Sequence, residues 1–255
     1  LPRNRVGMNV TVKEGDVAKI KVINIVGNHN FDEDELLSEF ELNTTGWFSW
    51  MTGNDKYSKE KLSGDLERLE SWYLDRGYLE FVINSTQVSV SPDKQSIFIS
   101  INVTEGQVYT VESVNLAGEL IVPESEVRKL ITLEEGERFS QQLMTSSAEL
   151  ITQRLGNEGY TFAEVKGFPE LNKGENTAKI TFFVNPGKRA YVRRIEFRGN
   201  TKTADEVLRR EMRQMEAGPA SSSLIEFSKV RLERLGFFKG VEVETKEVPG
   251  TGDQI

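Results

Sequence analysis

The most constraining feature of this sequence is an apolar strand pattern that returns in fixed register ahead of a glycine. Three, five, seven and nine residues before Gly15 stand Val12, Val10, Met8 and Val6; before Gly106 stand Val103, Ile101, Ile99 and Ile97; before Gly187 stand Val184, Phe182, Ile180 and Ala178. The residues between them are mostly polar or small, as in Asn9, Thr11 and Lys13 or Ser100, Asn102 and Thr104. Alternation with a period of two puts one strand face on a core and the other toward solvent. The glycines lie 91 and then 81 residues apart. Such a period is that of a small domain, longer than a solenoid repeat.

Two further markers keep the same order. A strand ending in Gly27, Gly118 or Gly199 carries apolar residues two and four positions earlier (Ile25/Ile23, Leu116/Val114, Phe197/Ile195), again spaced by 91 and 81. A Gly-aromatic pair, Gly77-Tyr78, Gly159-Tyr160 and Gly236-Phe237, then closes a helical stretch. Glycine there suits the left-handed position that ends a helix, and the aromatic opens a strand.

Helical signals fill the space between these markers. Thr203-x-x-Glu206 reads as a capping box, Asp32-x-x-Glu35 has related acidic chemistry, and Pro123 suits a first helical turn. Leu62, Leu66, Leu69 and Tyr73 give a second helix its apolar face. Hairpin turns follow at Ser91-Pro92-Asp93-Lys94, Asn172-Lys173-Gly174 and Pro249-Gly250-Thr251-Gly252. The predicted fold is α+β, with tandem βααββ modules. Each is a three-stranded mixed sheet covered on one face by two antiparallel helices.

Expected boundaries are 1–16 for the final strand of a preceding module, 17–107 and 108–188 for two complete modules, and 189–255 for a module lacking its last strand. Module material is accordingly expected on both sides of the chain.

Composition narrows the function classes. No apolar run approaches the roughly 20 residues of a membrane-spanning helix. Without cysteine there are no disulfides, thiolate zinc sites or cysteine nucleophiles. The net charge of -8 opposes a nucleic-acid-binding array, the reading considered from another class. That charge is uneven: residues 189–255 hold 13 Lys+Arg against 11 Asp+Glu, leaving 19 against 29 in residues 1–188.

Catalysis finds no support. The single histidine, His29, sits between two asparagines in a turn, with no second histidine or cysteine for a metal site or triad. Carboxylates such as Glu33/Asp34/Glu35 fall at helix starts, where the helix dipole accounts for them. No Walker loop or G-x-G-x-x-G is present. The chain is read as a non-enzyme without cofactor or metal.

Binding has better candidates. A three-stranded sheet has edges to which an extended chain adds through main-chain hydrogen bonds. The run Phe81–Val90 is long and free of proline and glycine, so Phe81, Val82, Ile83, Asn84, Ser85, Thr86, Gln87 and Val88 form the first-ranked edge. It is either open to an added strand or covered by a neighbour or loop. The loop bearing Trp47, Phe48, Trp50 and Met51 either marks a contact surface or folds back on its own core. Arg209, Arg210 and Arg213 with Glu216 form either an ordinary helix-end charge pattern or a charged docking face.

The stretches Val22-Ile23-Asn24-Ile25-Val26-Gly27-Asn28, Tyr73-Leu74-Asp75-Arg76-Gly77-Tyr78 and Val207–Glu216 resemble the polypeptide-transport-associated (POTRA) repeat. The middle module departs from its turn, with Ala117-Gly118-Glu119 where Gly-Asn is expected. The resemblance covers nearly the whole chain and places its modules third to fifth in an array. It implies a periplasmic scaffold on the Gram-negative outer membrane, preceding a membrane barrel. Implied partners are unfolded outer-membrane β-barrel proteins and accessory lipoproteins, with Arg213 and Glu216 as lipoprotein contacts. Within the family the alternative is a related transporter of the TamA or two-partner secretion type.

Overall fold

The computed structural model describes residues 18–44 and 55–255, so the strand expected at 1–16 and the Trp47–Met51 loop lie outside the described residues. Within them the chain forms two units. One ends at Gly106 and gives up only Leu74–Gly77, which belong with the other unit, Gln107–Ile255.

In the first unit the alternating pattern becomes β1 (Lys19–Val26), β2 (Val82–Val90) and β3 (Ser96–Thr104), in sheet order β1-β3-β2. β1 runs parallel to β3, and β2 antiparallel to it. The helices are α1 (Glu33–Leu37) and α2 (Lys59–Leu74). Ile97, Ile99, Ile101 and Val103 of β3 are buried, as are Leu62, Leu69, Trp72 and Tyr73 of α2. Leu66 is only half-buried, and Asp65 takes a core place instead. Phe31, Trp72, Tyr73 and Tyr78 meet edge to face, while Tyr73 stacks on Phe81 with ring centres 4.1 Å apart.

The second unit opens with the same plan. β4 (Thr110–Gly118), α3 (Glu124–Arg128), α4 (Gln141–Asn157), β5 (Glu164–Asn172) and β6 (Thr177–Asn185) give a sheet of order β4-β6-β5 with the same parallel and antiparallel pairings. α5 (Asp205–Glu211) and α6 (Ser222–Arg234) follow. In this third repeat, Tyr191 and Arg193 exchange parallel main-chain bonds with Asp253 and Ile255, and no longer ladder forms among the described residues. Its core is thin: Ala190, Val192 and Ala220 pack with Ile195 and Ile255, beside buried Leu208 and Leu232.

The glycine markers have physical causes. Gly27 and Gly118 have positive φ, and a Cβ there would lie 2.2 and 2.1 Å from the carbonyl oxygens of Val103 and Val184. Only glycine lets the first strand close over the third this tightly. Gly77 and Gly159 end α2 and α4 in Schellman turns, in which Tyr78 N–H reaches Tyr73 O and Tyr160 N–H reaches Leu155 O. In the Gly-Asn turns, Asn28 and Asn200 donate through Nδ2 to the carbonyls of Phe31 and Thr203.

Helix starts differ from the expected ones. The Thr203 capping box does not form, because α5 begins at Asp205 with Ala204 as its N-cap. Asp32 is an N-cap without a side-chain bond, and Pro123 stands one place earlier than a first-turn proline. The working caps are serines: Ser58, Ser140 and Ser221 accept from the N–H of Lys61, Leu143 and Leu224.

Candidate strand-binding edge and charged face

Each three-stranded sheet has two outer edges, and they are not equally accessible. On β1, Ile20 N–H donates to Asp55 O at 2.7 Å, Lys19 bridges Lys56, and Ile25 N–H donates to Glu33 Oε1. On β4, Val111 N–H donates to Glu137 O, Gly136 N–H donates to Val111 O, and Val114 N–H reaches Glu135 Oε1. Both first-strand edges are therefore partly occupied by their own modules.

The opposite edges, β2 and β5, are terminal in their sheets. β5 carries Pro169, opposite Ile180. A proline inside a ladder turns its missing donor outward, which removes one bond from any strand added there. β2 has no proline. Its register slips between Ile83 and Ser85, and Asn84 turns its Nδ2 to Thr104 Oγ1. A bulge of this kind blunts an edge locally. The regular part of the edge is thus Ser85–Val90, shorter than the run marked out in the sequence. Phe81 falls before β2 and is buried against Tyr73, so it serves the core rather than the edge.

The two faces of this edge differ. Thr86, Val88 and Val90 pair with Ile101, Ile99 and Ile97, on the face that the helices cover. Val88 and Val90 remain exposed at 38% and 55%. Ser85, Gln87 and Ser89 pair with Asn102, Ser100 and Phe98 on the other face. An added strand would meet valines on one side and mostly polar groups on the other.

In the third repeat, Arg209 and Glu216 come together. Glu216 Oε1 accepts from Ile195 N–H at 2.8 Å and from Arg209 Nη1 at 3.1 Å. Arg209 also pairs with Asp205 Oδ2 at 2.7 Å, donates to Ile195 O and lies over the Phe197 ring. The Ile195 N–H and then the Arg209 guanidinium hold the Glu216 carboxyl below its ordinary range. Arg210 makes one 3.8 Å contact with Glu211. Arg213 is exposed, with its guanidinium on the Met212 carbonyl.

Sequence reasoning missed what shapes this face. Met215, 68% exposed, stands between Arg213 and Glu216. The loop is fixed from beneath by Ser228 Oγ, which accepts from Arg213 and Gln214 N–H, and by buried Gln214, which bonds Met215 O, Pro219 O and Ser221 N–H. The available signal was a polar residue seven places after each serine cap: Asp65, Ser147 and Ser228. Asp65 accepts from Glu41 and Leu42 N–H, and Ser147 from Thr132 N–H.

Buried Glu105 is the strongest polar node of the first unit. Its carboxylate accepts from His29 N–H, both Asn30 nitrogens and the Tyr73 hydroxyl. The histidine's backbone thus serves a structural bond. Among the described residues no cluster of His, Cys, Asp and Glu that could hold a metal ion is found.

These are tandem α+β modules, in which a three-stranded sheet with a terminal strand, β2 or β5, and its surface loops stand on a small core. The chain belongs to the POTRA family: the model described as "Surface antigen variable number repeat" matches residues 18–106, 109–187 and 190–254. It is 34% identical over its full length to the outer membrane protein assembly factor BamA of Neisseria meningitidis serogroup B, and 31% identical over 95% of its length to BamA of Buchnera aphidicola. It spans 32% and 39% of those relatives' lengths. The crystal structure of Haemophilus influenzae BamA POTRA3-5 superposes with a TM-score of 0.83 at 29% identity, covering 96% of each chain.

Proposed function

We propose that the chain is a periplasmic scaffold of outer-membrane β-barrel assembly, which receives unfolded barrel proteins by strand addition at β2 and docks accessory lipoproteins on its third repeat. The likeness to BamA across the whole chain supports the setting. In that setting the protein lies on the periplasmic face of the Gram-negative outer membrane and acts with a membrane barrel of its own. No helix among the described residues is long and apolar enough to cross a membrane.

The observation that carries the reading is the state of the edges. β1 and β4 are engaged and β5 is broken by Pro169, whereas β2 offers Ser85–Val90 without proline. Main-chain pairing is indifferent to side-chain identity, which suits many clients. The valine and polar faces of the edge suit alternating strands, the pattern of transmembrane β-barrels. Lipoprotein docking falls to exposed Arg213 and Glu216, with Arg209 orienting Glu216 and Arg210 beside them. On this BamA-like reading the lipoprotein partners are BamD at the last module and BamB near the first complete module of the chain.

A photo-reactive residue at Gln87 or Ser89 is expected to trap unfolded outer-membrane proteins in cells, and one at Lys21 on β1 is not. Absence of adducts at both β2 positions would remove strand addition from this module.

A further inference from the structure

Within the second unit, one kind of side-chain bond to the first turn of a helix occurs twice. Asn157, the last residue of α4, accepts through Oδ1 from Ser223 N–H of α6 at 2.8 Å. Asp75, in the Leu74–Gly77 segment of the same unit, accepts through Oδ1 from Gln142 N–H of α4 at 2.6 Å. Each acceptor stands two residues before the helix-ending glycine (Gly77, Gly159), and each donor two residues after the capping serine (Ser140, Ser221). The serine satisfies one free N–H of the incoming helix, and the acidic or amide side chain satisfies a second.

The charge of Asp75 suits the second helix, and Asn157 supplies the same kind of acceptor without a charge. A carboxylate in the last turn of its own helix faces the negative end of the dipole and is disfavoured there. Aimed at the first turn of the next helix, the same group meets the positive end. Two other bonds complete the joint: Gly159 O accepts from Ala190 N–H at 2.8 Å, as Gly77 O does from Tyr109 N–H, and Arg189 Nε donates to Glu158 O. Packing is close as well. A Cβ on Gly156 would lie 2.2 Å from Ser222 Oγ and 3.1 Å from its Cβ, so a side chain there would make Ser222 at the start of α6 give way. In the third repeat Arg234 occupies the place two before Gly236, where a cation suits the end of its own helix.

We infer that Asn157 is an inter-module lock, which caps α6 and fixes the angle between the second and third repeats. α6, ending in Arg234, offers no such cap to a helix beyond it.

The chain has no cysteine, so exposed Glu170 and Lys202, one in each repeat, can be changed to Cys and spin-labelled in the full 255-residue chain. The parent is expected to give one narrow distance distribution. Loss of a capping side chain shifts an equilibrium by roughly fivefold or more, so Asn157→Ala should broaden it with a second, open population. Asn157→Asp keeps an acceptor, as Asp75 does, and should retain the narrow distribution. Unchanged far-UV circular dichroism would show that the repeats themselves stay folded. An unbroadened Asn157→Ala distribution overturns the lock, and so does equal broadening in the Ala and Asp variants.

Discussion

Glu105 shows how one side chain can hold a module's pieces together. It is 5% exposed, and burial by itself would raise its pKa; the N–H of His29, the Tyr73 hydroxyl and Asn30 together outweigh this and bring the value below the ordinary glutamate range. A carboxyl whose folded value is depressed contributes stability above its unfolded value, and that contribution disappears as pH falls through the folded value. Glu105→Gln presents an amide donor to groups that are themselves donors. It should destabilise the first unit by about 1.5–3 kcal/mol near neutral pH and flatten its loss of stability on acidification. Urea unfolding at neutral and acidic pH measures both effects. Identical acid slopes for parent and variant would show that the charge of Glu105 is not what the fold uses.

Among elements, strands were more legible than helix starts. A strand's pleat imposes a period of two whatever its partners, so Ile97, Ile99, Ile101 and Val103 declared their buried face. Helix caps depend on which residue first leaves extended geometry, and Thr203-x-x-Glu206 matches a capping box although the chain turns helical only at Asp205. Edges are a matter of non-local pairing. Nothing in the sequence shows that Asp55 or Glu137 would engage β1 and β4, or that Phe81 would turn inward on Tyr73. The serine caps at 58, 140 and 221 keep spacings of 82 and 81, yet serine is too common for the register to stand out. Its consequence is the polar residue seven places on. Ser228→Ala leaves two amides, of Arg213 and Gln214, without their acceptor, whereas Ser147→Ala leaves one, of Thr132. Ser228→Ala should cost about 1–3 kcal/mol and speed hydrogen exchange at Arg213 and Gln214, loosening the loop that presents Met215 and Glu216. Unaltered exchange at those amides would mean the loop is held by Gln214 alone.

At the scale of the molecule, the question is which cores unfold together. The third repeat has a thin apolar core of its own, Ala190, Val192, Ala220, Leu208 and Leu232, and it borrows order from α4 through Asn157 and Gly156. A core of this size is marginal on its own. Ile151, fully buried in α4, belongs to the second repeat's core, and Leu69, fully buried in α2, to the first unit's. Each truncation to alanine removes about 2–5 kcal/mol from the core that holds it, roughly 8–40 °C of melting temperature for a unit near 100 residues and about 4–20 °C for one near 150. In calorimetry, Ile151→Ala should carry the unfolding of both the second and third repeats to lower temperature as one transition, because the cap that orders α6 is lost when α4 unfolds. Adding Asn157→Ala should split that transition, letting the third repeat melt first. A third repeat that keeps its own transition in Ile151→Ala would show that its core folds without support from α4, and that the joint sets an angle but carries no stability.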